Sequence, residues 1–174
     1  MTENLSIIER VTFLKQVSFF QYMTLDQLKA LASICEEEFL QQGFCIFQEG
    51  EPGGTLYIVI EGHVAIEREG ERKGSVVRLA TMQAHSSFGE MNLFDNSPRS
   101  ATATAVEDTR VLKLRNEPLI ALMRQNPDML VELIKVLNQR IREADDQITR
   151  LSRSRPRQLD RLYDKLQDSD PGTR

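Results

Sequence analysis

The sequence predicts a mainly β fold: a double-stranded β-helix (jelly-roll) barrel with N-terminal helices and a long C-terminal helix. Three observations carry this. Short β-branched or aromatic runs bounded by glycine and proline recur through the middle of the chain. Apolar residues at helical spacing stand before and after them. Apolar residues alternate steps of four and three through 130–151. The chain has 174 residues, of which 40% are hydrophobic, enough for one core. We therefore expect a domain over 1–125, a long helix over 126–155 and a short amphipathic tail over 156–174.

Taken in order, Val11, Leu14, Val17 and Phe20 hold helical spacing and predict a first helix. Thr24-Leu25-Asp26-Gln27 reads as a capping box, in which side chains satisfy the backbone N–H groups that a helix start leaves unpaired. It opens a helix with Leu28, Leu31, Ala32 and Cys35 on one face. Strands are predicted over 44–47, 56–60, 76–79 and 111–114, and the polar run 69–74 is a hairpin turn. Many short strands with Gly-rich turns suggest the jelly roll. Asn116-Glu117-Pro118 begins another turn, and Pro127 sits near the first position of the long helix.

In that helix Leu130, Ile134, Leu137, Ile141, Ala144, Ile148 and Leu151 form a heptad seam flanked by Glu143, Asp145, Asp146 and Arg150. So long a seam exceeds what one small barrel needs to cover. It predicts a parallel homodimer through 130–151; the alternative is packing on the chain's own barrel. Pro156 breaks the helix, Leu159, Leu162 and Leu166 make a short amphipathic helix, and 168–174 reads as frayed. Arg150, Arg153, Arg155, Arg157 and Arg161 form a basic cluster there. It is either a docking or regulatory tail or a solvated helix folded back.

The bulk numbers exclude several classes. A net charge of −4 argues against general nucleic-acid affinity. No apolar run approaches the length of a membrane span, and no signal peptide precedes the first helix, so a cytoplasmic protein is expected. Cys35 and Cys45 sit in segments that look buried and read as core thiols in a reducing compartment. The two histidines, His63 and His85, have no ligand-like spacing, so neither a metal site nor a phosphodiester-cleaving cluster is expected. His63 lies in an alternating strand and points to solvent; His85 lies in the following loop.

The most informative segment is 88–105, FGEMNLFDNSPRSATATA. It places a Gly-Glu pair, a short apolar turn, a variable loop and an arginine followed by small residues in one run. In order and spacing, Phe88-Gly89-Glu90, Leu93 and Pro98-Arg99-Ser100-Ala101-Thr102 resemble the phosphate-binding cassette of cyclic nucleotide-binding domains. The resemblance implies a 3′,5′-cyclic nucleotide as ligand, no chemistry performed on it, and no cofactor. Arg99 would take the phosphate, since a guanidinium offers two parallel charge-assisted bonds. Ser100 and Ala101 are small enough for backbone N–H groups to approach the same oxygens. Gly89 lets the backbone come close at the start of the Glu90-Met91-Asn92 turn. Glu90, repelled by phosphate, would accept from the ribose 2′-hydroxyl. A surface loop whose arginine pairs with a nearby acid, and a cassette kept only for folding, are the alternatives.

The resemblance continues outside the cassette. Gly50-Glu51-Pro52-Gly53-Gly54-Thr55-Leu56-Tyr57 and Glu61-Gly62-His63-Val64-Ala65-Ile66 look like the family's strands and turns, although Gly54 and Thr55 stand where an acidic residue is usual before Leu-Tyr. By position, Ile66 and Leu79 resemble the apolar wall against purine and ribose, and are equally readable as barrel core. Asp145 falls where family counterparts touch the base; the alternative is a solvated charge. In the catabolite-activator branch the long helix pairs with its twin, and a helix-turn-helix domain follows. After Leu151 no second helical pair or recognition-helix pattern appears, so DNA binding is not expected unless the chain is a truncated piece. A haem sensor through His85 would leave Arg99 and Glu90 without purpose, and the four-cysteine arrangement of oxygen-sensing relatives is absent. The expectation is a cyclic-nucleotide sensor in which bound phosphate anchors the cassette and re-presents the long helix to a downstream protein partner not written in the chain. Arg99-Ser100-Ala101 and Asn126-Pro127-Asp128 look most like the cAMP-binding bacterial branch, although Ser100 also suits cGMP.

Overall fold

Ser6 starts α1 (Ile7–Leu14) with a capping box: its hydroxyl accepts from the Glu9 N–H (3.3 Å), while the Glu9 carboxylate accepts from the Ser6 N–H (2.8 Å). The computed structural model describes residues 4–154 except 71, 73 and 96, and side chains through 150. The tail expectations over 156–174, with Pro156 and Leu159 among them, lie outside the described residues, and the side chains of Leu151 and Arg153 lie outside those described. Two compact units divide the chain, Met1–Leu133 and Ile134–Arg174.

Val11, Leu14, Val17 and Phe20 are all buried, but not on one helix. α1 stops at Leu14; the chain turns there and reaches Phe20 through a 3-10 turn, Ser18–Phe20. This corrects the single helix expected, since a turn and a 3-10 segment reproduce the inward spacing. The Thr24 capping box does open α2 (Leu25–Ile34), with Leu28, Leu31 and Ala32 buried and Cys35 at its C-cap.

Among the described residues eight strands follow: β1 (Glu36–Leu40), β2 (Cys45–Phe47), β3 (Thr55–Glu61), β4 (Val64–Glu69), β5 (Val76–Met82), β6 (Ser87–Phe88), β7 (Thr102–Ala105) and β8 (Thr109–Arg115). They form two antiparallel sheets, ordered β1-β8-β3-β6 and β2-β7-β4-β5, the expected jelly roll. Phe47, Val59, Val64, Phe88 and Ala103 form one core cluster, and Leu40, Ala105 and Val111 another. β3 also buries Leu56 and Ile58, so both of its faces are dry and its sequence reads as a continuous apolar run. α3 (Asn116–Gln125) packs on β8 and on α2, and α4 (Asp128–Ser154) begins just after Pro127.

β1 was not legible in the sequence, because three of its five residues are glutamates. Each is paired with β8: Glu36 with Arg115, Glu37 with Arg110, and Glu38 with Lys113 (3.2 Å). Cross-strand charge replaces β-propensity there. Cys45 also departs from expectation: Cys35 is buried but Cys45 is exposed. A register shift between Cys45 and Phe47 lets Ile46 and Phe47 both pack inward and leaves the thiol outside. His63 lies in the turn between β3 and β4 rather than in a strand, because Gly62 at φ +85° ends β3; its exposed ring pairs with Glu107.

Candidate functional site

β6 brings Phe88 into the barrel, where its ring stacks on Tyr57 with centroids 5.3 Å apart. Gly89 follows at φ +83°, and the chain enters a 3-10 turn, Glu90–Asn92, anchored by fully buried Leu93. The left-handed conformation suits glycine, and space demands it as well. A Cβ at Gly89 would stand 2.7 Å from Arg99 Nη1 and 2.9 Å from the Thr55 carbonyl oxygen.

The far end of the loop is zipped to the segment between β2 and β3. Pro98 bridges Pro52, the Arg99 N–H donates to the Glu51 carbonyl (2.8 Å), and the Gly50 N–H donates to the Arg99 carbonyl (2.8 Å). These bonds turn the Arg99 side chain inward. It is 4% exposed, with Cζ 4.1 Å from the centroid of the Phe47 ring. Nη2 donates to the Thr55 carbonyl (2.9 Å) and Nη1 to the Gly89 carbonyl (3.2 Å), while Nε has no partner. Among the described residues Arg99 makes no ion pair. Burial lowers its pKa from the ordinary arginine value, with Tyr57 and Glu51 working the other way. Burial likewise raises the Tyr57 phenol.

A cavity of about 200 Å³ opens beside this arrangement. Ile66 and Leu79 come to it from β4 and β5, Phe88, Gly89, Glu90 and Met91 from the first half of the cassette, and Ser100 and Ala101 from the second. Arg99 is not in the lining; it sits one layer behind, touching Gly89 and Phe47, which do line the cavity. Leu79 and Met91 are largely exposed, at 55% and 72%, so they border the mouth rather than the barrel core. Glu90 is half-buried at the start of the 3-10 turn. Asp145 is exposed on α4, in the second unit. Phe47, Met82 and Asn92 also line the cavity and were missed. Phe47 carried only the signal of a strand position, Met82 lay beyond the strand expected over 76–79, and Asn92 carried the signal of a polar residue between two apolar ones.

A larger groove of about 570 Å³ lies on the β2–β4–β5 side, but three of its four charged lining residues are already paired, Arg68 with Glu49 and Glu67 with Arg78. The smaller cavity is lined by both halves of the cassette, whereas the larger meets it at Thr102. His85, at φ +68° just before β6, stacks on Phe13 with centroids 4.4 Å apart and so joins the cassette's entry to α1.

Residues 37–126 match the family model described as cyclic nucleotide-binding domain. The chain is 35% identical over 139 residues to the cyclic AMP receptor protein of Thermus thermophilus, a match covering 80% of this chain and 64% of the relative. It is 30% identical over 138 residues to the CRP-like cAMP-activated global transcriptional regulator of Mycobacterium tuberculosis, covering 79% of this chain and 61% of the relative. The crystal structure of the N-terminal domain of a transcriptional regulator from Streptomyces coelicolor A3(2) is similar at 30% identity and a TM-score of 0.71, over 78% of this chain and 94% of that one. The chain thus spans less than two thirds of the length of these two relatives.

Proposed function

The chain belongs to the cyclic nucleotide-binding domain family, and from that premise we propose that it binds a 3′,5′-cyclic nucleotide, cAMP in preference to cGMP, as a non-catalytic sensor that signals through α4. The observation that carries this reading is Arg99, a guanidinium buried to 4% exposure with an unpartnered Nε and no ion pair among the described residues. A buried cation without a counter-ion is costly, and a phosphodiester supplies the missing charge and acceptor oxygens. A surface arginine paired with an acid, the alternative left by the sequence, would show neither property.

In this proposal Arg99 takes the phosphate, with the backbone at Gly89, Ser100 and Ala101 and the Ser100 hydroxyl. Glu90 and Met91 border the ribose, the carboxylate accepting from the 2′-hydroxyl. Ile66, Leu79 and Phe88 form the apolar wall. The relatives' descriptions as a cyclic AMP receptor and a cAMP-activated regulator support cAMP and a non-catalytic role. Signalling has a physical route within the first unit. The Thr55 carbonyl holds Arg99, and the neighbouring Gly54 carbonyl accepts from the Asn116 N–H at the start of α3 (2.9 Å), the helix that precedes α4. Phosphate drawing Arg99 off the Thr55 carbonyl shifts that connection, by no more than the ligand's differential affinity for the two states. A second copy of the chain covers the α4 seam.

Calorimetric titration with cAMP and cGMP tests the reading. Wild type binds, cAMP more tightly. Arg99→Leu weakens binding by roughly thirtyfold or more, the cost of removing one partner of a buried charged pair, and Glu90→Ala weakens it as well. Absence of binding to either nucleotide, or unchanged affinity in both variants, overturns it. A second reading, the ligand-binding part of a cAMP-dependent transcription factor, is favoured by the 61% and 64% of the two regulators that the chain spans. It shares the same site; nucleotide-dependent binding to duplex DNA by a longer chain that contains this domain would select it.

A further inference from the structure

We propose that Asn92 is a positioning residue for the cyclic nucleotide site: its buried carboxamide sets the direction in which Arg99 leaves the backbone. The inference rests on the reading that the cassette binds a cyclic phosphate, and assigns the side chain that aims the arginine.

Asn92 is a polar residue in an apolar turn, between Met91 and Leu93, and only 5% exposed. A carboxamide so buried is costly unless its donors are used. Both are: Nδ2 donates to the Ser97 hydroxyl (2.9 Å) and to the Pro98 carbonyl (2.8 Å). The Ser97 hydroxyl in turn donates to Asp95 Oδ1 (2.8 Å), as does the Ser97 N–H (3.0 Å). Those two bonds hold the Asp95 carboxyl below its ordinary range. The carboxamide therefore staples the end of the variable loop back onto the 3-10 turn.

The Pro98 carbonyl belongs to the peptide plane whose nitrogen is that of Arg99. That plane is clamped on both sides, its oxygen by Asn92 and its N–H by the Glu51 carbonyl (2.8 Å). That plane places the Arg99 Cα, and the Arg99 carbonyl, accepting from the Gly50 N–H (2.8 Å), restrains φ, so together they set the Cα–Cβ direction. Asn92 also accepts, through its own carbonyl, from the Gly54 N–H (2.8 Å), next to the Thr55 carbonyl that receives Arg99 Nη2. Close approach of the two loops depends on Gly53, where a Cβ would stand 2.3 Å from Asn92 Cβ. One residue thus meets both: its side chain holds the backbone that launches Arg99, and its main chain the backbone that receives it.

The test uses the whole chain with two variants, Asn92→Leu, which keeps volume without donors, and Asn92→Asp, which keeps shape, has no donor while ionised and has one when protonated. Three quantities are read: cAMP affinity, urea stability without nucleotide, and the Arg99 Nε–H resonance, assigned by its loss in Arg99→Lys. Both variants bind about tenfold more weakly at neutral pH, the effect of one buried group left unsatisfied, and their Arg99 resonance moves to the exchange-averaged position of a free arginine. At acid pH the Asn92→Asp variant regains affinity relative to wild type, because its protonated carboxyl again donates to Pro98; Asn92→Leu does not. A purely structural role would lower stability without this pH-dependent recovery. Should Asn92→Leu fail to fold, Asn92→Asp alone decides. Unchanged affinity with an unchanged Arg99 resonance overturns the proposal. If wild type binds no nucleotide, the proposed function fails, and the resonance still decides whether Asn92 aims Arg99.

Discussion

Arg99 is held by two backbone carbonyls and the face of Phe47, with no carboxylate in an ion pair among the described residues. The position usually acidic in the family is here Gly54-Thr55, and the main chain does the holding. Gly89 admits the guanidinium. Gly89→Ala should therefore combine left-handed strain with a clash, costing about 1–2 kcal/mol for the backbone conformation alone and displacing Arg99. Urea denaturation reads the first effect and cAMP calorimetry the second; loss of stability with unchanged affinity would count against the layered site. The thiols give another residue-scale prediction. Burial pushes Cys35 up from its ordinary 9.0 to about 12, with Arg10 opposing weakly, while Cys45 is exposed. One thiol, Cys45, should react with an alkylating reagent in the native protein and the second only on unfolding. Since folded Cys35 keeps its proton where the unfolded chain has lost it, its contribution is full below pH 9.0 and is lost as pH rises towards about 12. Alkaline unfolding curves of wild type and Cys35→Ala should converge over that window.

At the scale of elements, β1 and α4 show opposite uses of charge and apolar surface. β1 is a strand of acids stitched to β8, and Glu37 is its anchor: its carboxylate, 4% exposed, takes bonds from Arg110 and from the Leu5 N–H (2.8 Å) before α1. Glu37→Leu leaves buried Arg110 without its main partner and should cost about 3 kcal/mol, read by urea denaturation. A change below 1 kcal/mol would show that the network adds little. α4 carries its heptad positions in the open: Leu130, Ile134, Leu137, Ile141 and Ile148 are 45%, 55%, 40%, 61% and 49% exposed. They are distinct from Met129 and Leu133, which are buried. If a second copy covers the seam, Ile134→Glu with Ile141→Glu should give a folded monomer by sedimentation where wild type sediments as a dimer. A monomeric wild type would refute the pairing.

For the whole molecule, ligand binding and folding are linked. Cyclic AMP at about a hundred times its Kd should stabilise the chain by roughly 2.7 kcal/mol, visible as a raised melting temperature, and Arg99→Leu should abolish the shift. Among the described residues no helix is long and apolar enough to cross a membrane. The sequence by itself determined the jelly roll, the α2 cap, the order of the cassette and the heptad seam. Each of these is written in local spacing: two-residue periods between glycine turns, Thr24 three residues before Gln27, and four-three steps along one helix. Tertiary structure alone decided that Glu36, Glu37 and Glu38 form a strand, that α1 ends at Leu14, that Cys45 faces out beside a bulge, and that Arg99 lies behind Gly89 instead of in the cavity wall. Those outcomes depend on partners far apart in the chain: Glu37 with Arg110, Cys45 with Thr104, and Arg99 with Phe47 and Thr55. Spacing along the chain carries the period of an element, but the side chain or carbonyl that meets it from another strand exists only once the sheets have closed.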